Sequence, residues 1–186
     1  MPVLLDSYSE SNYDGTIGGI YNASPDGDEI GQTFNAPSTT TLYSVKFYLA
    51  KLGSPTGNAT AKLYAHTGTF GTSGVPTGAA LATSNNLNVA SLSTSFAVIE
   101  LTFPTPPSIT SGTKYCVALG YTGGDAGNHV RIGGDASSPS HGGNAILHQS
   151  GSWVADSGVD ICFYVYEPDA ASPIVGKFMT TNTKFF

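Results

Sequence analysis

Four histidines (His66, His129, His141, His148) and thirteen acidic residues are the groups of this 186-residue chain most suited to moving protons or holding metals. Serine is plentiful. No Gly-x-Ser-x-Gly stretch stands between a strand pattern and a helix pattern, the context a hydrolase nucleophile requires. A glycosidase needs two carboxylates on facing elements about 5–10 Å apart. The candidates are dispersed: Glu100 lies on the outward side of an alternating run, Glu29 opens another, and Glu10 and Glu167 lie near the ends. Gly123–Gly127 lacks the Lys-Ser/Thr pair and the helix of a phosphate loop.

Cys116 and Cys162 each sit inside a strand-like run, without a second ligand at the spacing of a structural zinc site. By parity both point away from their strands' core residues. If the two strands are neighbours, the sulfurs face each other as a disulfide or as two thiols; free thiols are expected, since nothing marks an oxidising compartment. His141 and His148 read as surface groups. Calcium takes six to eight oxygen ligands, and the loop acids Asp26 and Asp28, with Asp125 and Asp135 as a second group, are its candidates. Neither group has EF-hand spacing, and Asp and Gly are ordinary turn residues. No metal or cofactor is therefore expected, calcium being the one ion the acids would suit.

Composition limits what can position these groups. The chain holds 23 Gly and 11 Pro, and only 7 basic against 13 acidic residues, for a net charge of -6. Lys, Glu and Arg are too scarce for a helical bundle. An apolar share of 40% argues against disorder. An acidic chain with a single Arg does not suit nucleic acid. No run approaches the roughly 20 apolar residues of a membrane-spanning helix. The Met1–Tyr8 segment has no basic residue ahead of its short apolar stretch and does not read as a signal peptide.

Short alternating runs separated by Gly, Pro, Asn and Ser clusters predict strands. The clearest are 28–36, 42–50, 59–66, 97–103 and 113–121, followed by 130–132, 145–149 and 160–166; residues 81–85 are a shorter candidate. Residues 88–94 read as a helical turn or a loop, 67–78 as a long loop, and Trp153 as part of a turn. The expected fold is all-β: an antiparallel β-sandwich of jelly-roll type with about nine or ten strands. Three regions are expected: residues 1–27 as an N-terminal arm with the first strand or strands, 28–166 as the sandwich, and 167–186 as a linker and docking tail. Phe178, Phe185 and Phe186 would dock that tail on its own domain or a neighbouring subunit.

Aromatic residues offer the better functional signal. Tyr48, Tyr64, Tyr164 and Tyr166 fall opposite their strands' inferred core faces, and Trp153 lies in the Gly151-Ser-Trp-Val turn. Such rings build second packed layers, protein interfaces or sugar platforms.

Several stretches then occur in a recognisable order: Ile30–Phe34, Ser44–Leu49, Gly57–Tyr64, Pro76–Ser84 and Gly112–Tyr115. From about Ile30 to Tyr166 the chain resembles the jelly-roll, carbohydrate-binding-like domains of tailed-phage structural proteins and bacterial surface proteins. That resemblance implies a non-catalytic display or adhesion module. With no signal peptide read, the virion form is expected: capsid decoration or tail and fibre adhesion, with other virion subunits as partners, as a homo-oligomer. The alternative is an extracellular, lectin-like module at a bacterial cell surface with a glycan as partner. Neither nucleic acid nor membrane is an expected partner.

Overall fold

The computed structural model describes residues 1–169. Phe178, Phe185 and Phe186 lie outside the described residues, as does most of the expected docking tail. In chain order the strands are β1 (Val3–Tyr8), β2 (Gly15–Ile20), β3 (Glu29–Asn35), β4 (Thr40–Thr41), β5 (Ser44–Leu52), β6 (Asn58–Thr67), β7 (Val75–Thr83) and β8 (Leu87–Asn88). They continue as β9 (Ala97–Thr102), β10 (Ser108–Ile109), β11 (Lys114–Gly120), β12 (His129–Asp135), β13 (Ala145–Gln149), β14 (Ser152–Asp156), β15 (Asp160–Ile161) and β16 (Phe163–Glu167). Among the described residues, helix is confined to 3-10 turns at Glu10–Asn12 and Val89–Ser91.

The strands are more numerous than expected, and the reason is local. Gly-rich β2 and the two-residue strands carry too little alternation to register as strands. Residues 75–83, read partly as loop, form one long strand beside β6.

Two antiparallel sheets make the sandwich. The first runs β1-β16-β5-β12-β15, with β2 on β12 and β9 on β5; the second runs β14-β13-β3-β11-β6-β7, with β8 on β6. The alternating residues of the sequence meet between them. Phe34, Phe47, Leu49, Leu63, Val117, Leu119, Ile132 and Phe163 are buried in one continuous core, each contributing roughly 1.5–3 kcal/mol of transfer free energy. In the first sheet β5 pairs with β16 over Ser44–Phe47 and with β12 over Leu49–Leu52. Cys162 bridges the fork: its N–H donates to the Gly133 carbonyl at 3.0 Å, and its carbonyl accepts from Tyr48 N–H at 3.3 Å.

The second sheet curls until Cα atoms of its edge strands β7 and β14 come within 8 Å of each other, unpaired. A small second core lies on the curled side: Tyr64, Cys116, Ala118 and Ile146, with Ala80 of β7 and Trp153 of β14 packed against it. Small residues make the space. Gly31 stands opposite Ala118, and Gly120 opposite Glu29, so two large rings fit over the central strands.

Candidate functional site

The β13–β14 hairpin turns through Ser150 and Gly151, both at positive φ (51° and 78°). Two consecutive left-handed residues are the mark of a type I′ hairpin, whose twist matches that of the strands. Opposite this hairpin runs the loop from Asn22 to Asp28. Ser24 Oγ donates to the Gly19 carbonyl at 2.6 Å and accepts from Asp26 N–H at 3.1 Å. Asp26 Oδ2 in turn accepts from Gly19 N–H at 3.1 Å. Gly27, at φ 117°, lies so close to β13 that an added Cβ would stand 2.7 Å from the His148 carbonyl.

Between loop and hairpin is an open cleft of about 210 Å³, lined by Asn22, Ala23, Ser24, Asp28, His148, Ser150 and Gly151. On its wall His148 Nδ1 meets Asp28 Oδ1 at 2.7 Å, and both side chains remain partly exposed. The His148 ring packs on Trp153 with centroids 4.9 Å apart. Trp153 meets Tyr64 edge-on at 5.4 Å. The Tyr64 hydroxyl donates to Glu29 Oε2 at 2.7 Å, and Lys62 pairs with the other oxygen of the same carboxylate. Burial, then the Glu29 hydrogen bond, pushes the Tyr64 phenol well above its ordinary range. The result is a polar cleft backed by a rigid aromatic and ionic stack.

The structure divides the residues singled out from the sequence. Tyr64 is not exposed but 6% accessible, because β7 and β14 curl over it. Trp153 is half-buried in β14, not in a turn, since the turn ends at Gly151. Tyr48 belongs to a separate cluster on the first sheet, with centroids 5.2 Å from both Tyr13 and Phe96. Tyr164 and Tyr166, also on the first sheet, stack at 6.4 Å; Tyr164 donates to Glu10, and Lys46 Nζ lies 4.6 Å over the Tyr166 ring. These rings therefore form three groups rather than one platform.

Among the acids, Asp26 and Asp28 do share a loop, but Asp26 holds backbone and Asp28 holds His148. Asp125 accepts from Gly127 N–H and the Asn128 amide, and these bonds depress its carboxyl pKa. Asp135 ends β12, the strand that follows the Asp125 loop, so the two do not form one cluster. It is a buried residue rather than a loop acid, accepting from the Tyr8 hydroxyl at 2.6 Å and from the N–H groups of Ser137 and Ser138. Among the described residues no group of three His, Cys, Asp or Glu side chains converges as for a metal ion. His141 is half-buried rather than a surface group: its side chain is 9% exposed, with Nε2 3.4 Å from Asp6 and Nδ1 accepting from Gly143 N–H at 3.0 Å. Cys116 and Cys162 are free thiols in different sheets, so their strands are not neighbours. Glu100 is exposed and accepts from Ser44 Oγ at 2.7 Å.

Sequence reasoning missed the Asp28–His148 pair, which joins residues 120 positions apart. The available signal was weak: His148 and Trp153 lie symmetrically about a two-residue turn, so hairpin register alone places them opposite each other. No protein-family model matches the chain, and no curated protein matches it.

Proposed function

We propose that the chain is a non-enzymatic accessory protein of a tailed-phage virion, a jelly-roll module for capsid decoration or for tail or fibre adhesion. In this role it binds other virion subunits, as a homo-oligomer, while one end of the sandwich faces outward. The observation that carries a display role is the polarity along β5. At its Ser44 end β5 lies beside Tyr166, and there Met1 and Asp169 are in contact. At its Leu52 end it lies beside His129, whose ring stacks on Tyr21 at 5.2 Å, next to the cleft loop. Nine residues of strand separate the two ends, roughly 26 to 30 Å. A module held at one end would present the cleft at the other.

The acids support binding over turnover. Asp14, Asp125, Asp135, Asp156 and Asp160 all accept backbone N–H groups and staple loops. Antibody raised against the recombinant chain should label particles purified from a host carrying the gene, and peptides from the chain should appear in their digests. Purified particles that lack the chain would overturn the virion assignment.

The second reading, an extracellular glycan-binding module of a bacterial surface protein, is favoured by the cleft itself. Its lining is made of partly exposed groups that donate and accept hydrogen bonds, which sugar hydroxyls use. It predicts labelling of cell-wall fractions and binding of the intact protein to a glycan array.

A further inference from the structure

We infer that the cleft between the Asn22–Asp28 loop and the β13–β14 hairpin binds one neutral sugar residue through its hydroxyl groups. This assignment rests on the glycan-binding reading and specifies its ligand class and contact residues.

The hydrogen-bond inventory selects the class. Asp28 Oδ1 is occupied by His148 Nδ1 at 2.7 Å. A carboxylate can only accept, so His148 carries a proton on Nδ1, and that bond fixes the orientation of its ring. Asp28 Oδ2 is a second acceptor. Ser150 and Asn22, also in the lining, have side chains that both donate and accept. A carboxylate oxygen flanked by two amphoteric groups suits a row of hydroxyls, each of which donates and accepts. A carboxylated or phosphorylated ligand would face the Asp28 carboxylate, and Lys62 is already paired with Glu29. The net charge of -6 works in the same direction.

Size and rigidity agree. About 210 Å³ suits a single ring rather than an enclosed oligosaccharide. The loop is held by Ser24 and Asp26 as described, and Asp28 N–H donates to the His148 carbonyl at 3.2 Å. Little ordering is therefore left for the ligand to drive, which favours binding even by a small molecule. The Trp153 ring packs behind His148 and supports it from the side away from the cleft.

The test is a titration of the isotope-labelled full chain, followed by amide and indole shifts, with glucose, galactose, mannose and N-acetylglucosamine in turn. Glucuronic acid, N-acetylneuraminic acid and glucosamine serve as charged comparators. At least one neutral sugar should shift the amides of Asn22, Ser150 and Gly151 and the Trp153 indole. Asp28→Asn should weaken that sugar about tenfold or more, the loss of one good charged contact. Asn22→Ala, on an exposed side chain, should weaken it with no change in thermal midpoint. No shift with any neutral sugar, or shifts only with charged comparators, would overturn the assignment. Array binding by the intact protein that survives both substitutions would leave the glycan reading standing and remove this site from it.

Discussion

The Tyr8 hydroxyl donates to the Asp135 carboxylate at 2.6 Å, tying β1 to the end of β12 across 127 positions of sequence. That bond, followed by the backbone N–H of Ser138, holds the Asp135 carboxyl down at about 2. An unfolded aspartate titrates near ~3.9. Between these values the unfolded chain binds the extra proton, so the stabilisation is complete above ~4 and is lost as pH falls towards 2. Urea unfolding of the wild type should show this decline, and Asp135→Asn should flatten it while lowering stability at neutral pH. An unchanged slope in the variant would show that other carboxyls govern the acid limb.

His66 titrates in a different window. Burial, with a smaller effect from Lys114, lowers its pKa below the ordinary value. Its Nε2 is buried with no hydrogen-bond partner among the described residues. The unfolded state therefore takes up the proton first, and stability falls as pH drops below ~6.5. His66→Phe should reduce that slope and leave the thermal midpoint at pH 7 the same or higher, because it removes an unsatisfied polar atom and keeps the contact with Phe70.

Both thiols should be silent in the native protein. Burial raises the Cys116 thiol well above its ordinary value and pushes Cys162 up to about 12, so neither forms the reactive thiolate at pH 8. Titration with a disulfide reagent should count no fast thiols in buffer and two in denaturant. A fast-reacting native thiol would contradict the packing of the second core or of the β5–β12–β16 fork.

Two glycines should separate sharply. A Cβ at Gly31 would lie 1.9 Å from the Val117 carbonyl oxygen on β11, and backbone there has no room to yield. Gly31→Ala should abolish soluble folded protein. At Gly151 a Cβ meets nothing within 4 Å, although φ is 78°. Gly151→Ala should lose only about 1–2 kcal/mol, the strain of a left-handed residue. Circular dichroism and thermal melts read both outcomes.

Much of the sandwich was legible in the sequence because its central strands alternate. Val45, Phe47 and Leu49 of β5, Leu101 and Phe103 in and beside β9, and Val117 and Leu119 of β11 all lie in the main core as their parity predicts. A period of two is a local property, and burial on one side of a sheet imprints it on each strand separately. The same rule misread Tyr64. Parity correctly turned it away from the main core, but could not reveal that the sheet curls back to cover that face. The cleft was less legible still. Asp28 appeared as a turn acid and His148 as a surface residue; nothing within either segment required them to meet.

Composition and alternation alone thus determined an all-β chain with few groups free for chemistry, because strand propensity and one-sided burial are written residue by residue. Tertiary structure decided which outward faces stay in water, which acids staple loops, and that Asp28 and His148 share one wall with Trp153 packed behind it. Those outcomes depend on sheet curvature and on contacts between distant segments, whose geometry no local pattern encodes.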